Sequence, residues 1–214
     1  MIVGNRMTKN PITVPHTAPV TDARTIMRRE KIHRLPVEDR KGNLMGIVTE
    51  KDILYASPSP ASTLDVYEMA HLLGKLTVEK VMTKKIVTIP EDTTIEDAAR
   101  IMRDNDIGGL PVMRGDLLVG IITESDLFQI FIELFGARIK GVRATVLVPE
   151  RRGELADIAA AIRDKGGDII SLGTFLGEDQ TNALCTIKVQ GITLDELKLC
   201  IEPYVENITD IREI

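Results

Sequence analysis

Aromatic residues are scarce in this chain, with four Phe, three Tyr and no Trp among 214 residues. Surfaces that hold single-stranded nucleic acid stack its bases on such rings. No basic face stands out either, so nucleic acid is not an expected partner. Cysteine is rarer still. Cys185 and Cys200 form neither a metal-ligand spacing nor a disulfide framework, and they read as small buried hydrophobes of a reducing compartment. No apolar run approaches the roughly 20 residues of a membrane-spanning helix, and the opening MIVGNRMTKNP lacks the apolar stretch of a signal peptide. No membrane contact and a cytoplasmic location are expected. His16, His33 and His71 are scattered without metal-ligand spacing. Neither G-x-x-x-x-G-K-[ST] nor G-x-G-x-x-G occurs. No nucleophile–base pair, metal cluster or phosphate loop is in view, so the chain reads as a non-enzyme with no catalytic residues and no metal.

What is present is ordinary for a globular protein: 43% hydrophobic and 28% charged residues. The net charge of −5 is uneven, because residues 1–142 hold 19 basic and 19 acidic side chains while residues 143–214 hold 8 and 13. The last third supplies all of it.

The first two thirds contain a duplication. VMTKKIVTIP at 81–90 echoes RMTKNPITVP at 6–15, and Met7, Thr13, Ala23, Met27 and Pro36 return as Met82, Thr88, Ala98, Met102 and Pro111, each 75 residues on. After a one-residue deletion beyond Val112 the offset is 74, and GIVTEKD at 46–52 returns as GIITESD at 120–126. So long a period marks a tandem copy rather than a solenoid. Each copy reads as a short strand, a helix with apolar residues at helical spacing (Ala23, Ile26, Met27; Ala98, Ile101, Met102), a buried strand, a Gly-containing turn, a third strand and a final helix. That β-α-β-β-α order predicts an α/β unit with helices on the sheet. ASPSPAST at 56–63 reads as a linker, followed by a helix with an apolar stripe of Val66, Met69, Leu72, Leu73 and Leu76.

The repeated ending G-h-h-T-x-x-D carries two readings. T-E-K-D and T-E-S-D fit a capping box, in which Thr49 with Asp52 and Thr123 with Asp126 satisfy the orphan N–H groups of a helix start. Alternatively, each carboxylate, an acceptor with two oxygens, can take hydrogen bonds from both hydroxyls of a ribose. It would repel a phosphate, so Asp52 and Asp126 should face the sugar.

The whole repeated unit, over about residues 1–135, resembles the CBS domain, and two in tandem resemble a Bateman module. The resemblance implies that the Asp holds the ribose of an adenosine nucleotide with the Thr beside it. It also implies composite pockets, each pairing the Asp of one copy with the strand and pre-proline residues of the other. Thr123 and Asp126 then share a pocket with Asn10, Ile12, His33, Arg34 and Pro36. Thr49 and Asp52 share theirs with Lys85, Val87, Gly108, Gly109 and Pro111. Arg34 is a planar, always-charged donor suited to phosphate, and His33 adds charge when protonated. HRLPV resembles the phosphate-contacting segment of the gamma subunit of AMP-activated kinase. Gly108 and Gly109 let a ligand approach but bring no charge, which leaves Lys85 as the main cation of the second pocket. Unequal sites for AMP, ADP or ATP are expected, the Asp126–Arg34 pocket being the tighter.

Residues 143–214 read β-α-β-β-α-β, the ferredoxin-like order, and VPERRGELADIAAAIRDKGGDIISL resembles an ACT domain. That resemblance implies a small-metabolite site, with Gly153, Glu154 and Leu155 at a helix entry whose N–H groups could receive a carboxylate, or a domain used for dimerisation. The expected division is copy one at 1–56, a linker with helix at 57–77, copy two at 78–135, a linker at 136–142 and the ACT domain at 143–214. This layout resembles the acetoin-utilisation protein AcuB family. DLFQIFIELFGAR is apolar on several sides through Leu127, Phe128, Ile130, Phe131, Leu134 and Phe135. It reads as a buried joint between the module, the ACT domain and a second subunit. The function implied is that of an energy-sensing, allosteric regulator that couples adenine-nucleotide binding to the ACT domain or to a protein target, as a homodimer. Its alternatives are a ligand-free dimerisation scaffold and an ACT-domain amino-acid sensor.

Overall fold

The computed structural model describes residues 1–56 and 74–214. The expected linker (beyond Ala56), the apolar stripe from Val66 to Leu73 and His71 lie outside them. The chain divides into two compact units, residues 1–127 and 128–214.

In the first unit both copies follow the β-α-β-β-α order. Copy one runs β2 (Val14–Pro15), α1 (Val20–Glu30), β3 (Arg34–Glu38), β4 (Leu44–Thr49) and α2 (Glu50–Tyr55). After α3 (Val78–Val81), copy two runs β5 (Ile89–Pro90), α4 (Ile95–Asp104), β6 (Gly109–Arg114), β7 (Leu117–Thr123) and α5 (Glu124–Leu134). The apolar spacing read from the sequence does its work: Ala23 and Met27 of α1, like Ala98 and Met102 of α4, are buried against their sheets. The hairpins share one register, with Arg34 opposite Thr49 and Gly109 opposite Thr123.

The leading segments are exchanged between the copies, which the duplication alone does not reveal. β1 (Thr8–Lys9) pairs with β7, Thr8 opposite Ile121 and Lys9 opposite Gly120. Val3 and Met7 lie in the apolar cluster of copy two. Reciprocally, Thr83 bridges Ile47, and Val78 and Met82 lie in the cluster of copy one. The repeated glycines permit this. A Cβ on Gly46 would stand 2.6 Å from Met82 Sδ and 2.9 Å from the Thr83 carbonyl oxygen, and a Cβ on Gly120 would run into Met7. Real side chains do not sit that close, so only glycine lets the exchanged segment lie on the sheet.

The second unit holds β8 (Val142–Pro149), α6 (Glu154–Asp164), β9 (Asp168–Leu176), β10 (Asn182–Gln190), α7 (Leu194–Ile201) and β11 (Asn207–Glu213). Its antiparallel sheet has the order β11-β8-β10-β9. Alternate residues of the inner strands, such as Val146, Val148, Cys185 and Ile187, pack against Ile158 and Ile162 of α6 and Leu197 and Ile201 of α7. Lys188 of β10 is 2% exposed and donates from Nζ to the Gly136 carbonyl oxygen at 2.9 Å.

The helix expected as a buried joint is not buried on several sides within the chain. α5 carries no buried residue, and Phe128, Phe131 and Leu134 are exposed. Phe135, just past its end, has ring neighbours in Phe131, centroids 4.6 Å apart, and Phe175.

Two measurements check this packing. Gly46→Ala is expected to cost about 1–3 kcal/mol, the penalty of forcing atoms into a filled space, read from the urea midpoint of unfolding. Burial raises the Cys200 thiol pKa and pushes that of Cys185 up to about 11. A thiol must ionise to react, so both should resist iodoacetamide at pH 8 in the native protein and label only on unfolding.

Candidate functional site

Each copy ends by turning a strand into a helix, and the turn is built alike in both. Asp52 Oδ2 accepts from the Thr49 amide at 2.8 Å and the Thr49 hydroxyl at 2.7 Å. Asp126 Oδ2 accepts from the Thr123 amide and hydroxyl, each at 2.8 Å. In copy one the Asp52 amide also donates to Thr49 Oγ1, completing a capping box. One carboxylate oxygen thus serves the helix start, while Oδ1 makes no hydrogen bond among the described residues. Capping and ligand binding do not compete for the same atom. The next residue ties the turn to the facing strand: the Glu50 amide donates to the His33 carbonyl and the Glu124 amide to the Gly108 carbonyl, both at 3.1 Å.

Two cavities open beside these turns in the first unit. The one at Asp126, about 470 Å³, is lined by Ile12, His33, Arg34, Pro36, Thr123 and Asp126 together with Lys31, Gly108, Glu124 and others. Asn10 is not part of its lining. That residue has a positive φ of 50° and its amide is bonded to the Val119 carbonyl in the β1 edge. The cavity at Thr49, about 450 Å³, is lined by Thr49, Lys85, Val87, Gly108 and Gly109, with His33, Arg34, Glu50, Lys51 and Asp106 among its further residues. Asp52 and Pro111 do not line it. This cavity runs from the first residues of α2, Glu50 and Lys51, along residues 83–87, and Pro111 is buried within β6. Both volumes are in the range of small-molecule sites.

The charges are not divided between the cavities as expected. His33 and Arg34 line both cavities, and the Thr49 cavity adds Lys51 to Lys85. Arg34, Lys51 and Lys85 there face Glu50 and Asp106, whereas Lys31 and Arg34 face Glu124 and Asp126 in the other. Each cavity thus has lysine of its own beside the common Arg34, and each has carboxylates in its lining.

The glycines of copy two have a further role. A Cβ on Gly109 would stand 2.5 Å from Arg34 Nη1, and one on Gly108 would stand 2.6 Å from Arg34 Nη2 and 2.6 Å from Glu124 Oε2. The guanidinium lies on this bare backbone, half-buried, with no hydrogen bond or ion pair among the described residues. Burial lowers its pKa, and the nearby Glu124 carboxylate opposes that shift. His33, by contrast, is exposed and lies 2.8 Å through Nδ1 from Glu50 Oε2. Sequence reasoning missed Lys31, Lys51, Glu50 and Glu124 as lining residues. The last two occupy the x after Thr in T-x-x-D, a signal visible in both copies.

In the second unit Glu154 and Leu155 line an open groove between β9 and the entry of α6, but Gly153 does not. Its carboxylates, Glu150, Glu154 and Asp179, are matched by no Lys or Arg in the lining. That electrostatic balance opposes a carboxylate ligand.

Among the described residues no three His, Cys, Asp or Glu side chains are grouped to hold a metal, and no helix is long and apolar enough to cross a membrane.

Two copies with exchanged leading segments, and cavities formed from both, define a paired α/β module. The CBS domain family matches residues 3–59 and 78–133, more than half the chain, and the chain belongs to that family. An uncharacterized protein of Methanocaldococcus jannaschii is 36% identical over 149 residues, 67% of this chain and 35% of that one. The match thus spans about a third of that relative's length. A candidate acetoin utilization protein, AcuB, from Vibrio cholerae has a similar solved structure, with a TM-score of 0.53, 30% identity and coverage of 64% of this chain and 95% of that one. A CBS domain pair in complex with 5′-methylthioadenosine and S-adenosyl-L-methionine reaches 0.51 with 29% identity, over 65% of this chain and 98% of that one. A further CBS protein, in complex with AMP, reaches 0.50 with 28% identity, over 61% and 96%.

The caps are open to a stability test. Asp52→Ala and Asp126→Ala should each lower the free energy of unfolding by about 1 kcal/mol, the usual cost of a lost cap, measured by urea denaturation without ligand.

Proposed function

We propose that the CBS pair binds an adenine nucleotide, AMP, ADP or ATP, and that the protein is a regulator of cellular energy state. One observation carries the reading: Arg34, a half-buried guanidinium with no hydrogen bond or ion pair among the described residues, faces cavities of nucleotide size, one of them rimmed by Thr123 and Asp126. The five N–H donors of a guanidinium form a planar fork that matches phosphate oxygens. Asp126 Oδ1 would accept from the ribose and Arg34 would hold phosphate. The adenosyl ligands and AMP bound by related CBS pairs support this class of ligand.

In this reading residues 143–214 are an ACT domain that, with a protein target, responds to the occupied module. Ligand binding would do so by favouring one conformer of the pair over another. The protein would act as a homodimer, with the exposed Phe128, Phe131 and Leu134 as candidates for burial against the second copy. A link to acetoin utilisation follows only from likeness to AcuB. A second reading, a scaffold without ligand, has its own support, since each Asp is already hydrogen-bonded to its own Thr at the helix start. An amino-acid site at Gly153–Leu155 is disfavoured by the acidic groove.

Isothermal titration calorimetry with AMP, ADP, ATP and S-adenosylmethionine separates these readings. Micromolar binding is expected, lost at the Asp126 cavity alone in Asp126→Ala and weakened tenfold or more in Arg34→Ala, roughly the loss of a charge-assisted bidentate contact. No heat from any of the four would leave the scaffold.

A further inference from the structure

The copies differ where they meet. Copy one presents His33-Arg34 and copy two presents Gly108-Gly109 at the corresponding positions. The contacts explain the difference: side chains at 108 and 109 would occupy the space that Arg34 fills. With Arg34 in this position, the space beside residues 108 and 109 is already filled. The result is a single guanidinium lining both cavities, with its nitrogens over the peptide that separates them.

We propose that Arg34 is shared between the two cavities and couples them negatively for ligands that carry a phosphate. The proposal rests on the nucleotide reading above. A phosphate in either cavity draws on the same cation. Once a doubly charged phosphate has done so, the pair is net negative and opposes a second phosphate across a short, half-buried distance, where charges are poorly screened. Lys51 and Lys85 belong to the Thr49 cavity and Lys31 to the Asp126 cavity, so neither set replaces Arg34 in both. A nucleoside without phosphate makes no such demand and should fill the cavities independently.

A binding cycle on the full chain measures the coupling, because independent sites give equal products of dissociation constants. Calorimetry with AMP on the unaltered protein yields two stepwise constants. Asp126→Ala, which removes one cavity's carboxylate, and Lys85→Trp, which fills the other cavity, yield the constants of single cavities. Coupling predicts that the stepwise product exceeds the single-cavity product at least tenfold. In its limiting form one AMP binds per chain although each variant still binds. Adenosine should give equal products, and so should AMP when the cycle is repeated in an Arg34→Gln background. Equal products for AMP, a ratio that survives Arg34→Gln, or a variant that has lost the chain's one site would each overturn the sharing while leaving nucleotide binding in place. Absence of binding by both AMP and adenosine to the unaltered protein would instead remove the reading beneath it.

Discussion

Two glycines and two methionines hold the first unit in the form that makes it useful. Gly46 accepts Met82, and Gly120 accepts Met7. Through these contacts the segment ahead of each copy is built into the other, with Val3 and Met7 in one core and Val78 and Met82 in the other. Neither copy completes its sheet or core from its own contiguous residues. Because the two are joined in this way, the start of α5 in copy two faces β3 of copy one, and the cavities arise from both.

Within that frame the site economises on side chains. The register of each hairpin sets the residue two before the proline opposite the threonine of the helix cap, Arg34 with Thr49 and Gly109 with Thr123. In copy two the threonine and aspartate that end the strand and start the helix also stand at the rim of a cavity. The cap uses one oxygen of the carboxylate and leaves the other open. The asymmetry sits at that same strand position. Copy one keeps Arg34, and copy two keeps the bare backbone on which it lies.

The C-terminal unit follows a different logic. Its sheet is apolar on the face that α6 and α7 cover, while β10 turns Lys188 the other way, to the carbonyl of Gly136. A buried ammonium is costly unless hydrogen-bonded. This one holds the backbone just beyond α5, and Ser171 Oγ donates to the neighbouring Phe135 carbonyl at 3.3 Å. The groove beside α6 carries acids without cations, so its lining offers no countercharge to an anionic metabolite.

Much of this was legible in the sequence. The offsets of 75 and 74 disclosed the duplication, helical spacing placed Ala23, Met27, Ala98 and Met102 in the core, and the T-x-x-D ending located both helix starts. Those features are local, and local periodicity reports which face a residue takes. The sequence also held His33-Arg34 against Gly108-Gly109, but as a contrast without a cause. Only the tertiary structure decided that the leading segments cross, that Asn10 turns into a strand edge, that Asp52 and Pro111 stand away from the Thr49 cavity, and that Arg34 belongs to both cavities. The physical reason is the same in each case. These outcomes depend on which backbone approaches which across the pair, and on the space left at the meeting point, and no spacing along one chain segment encodes that.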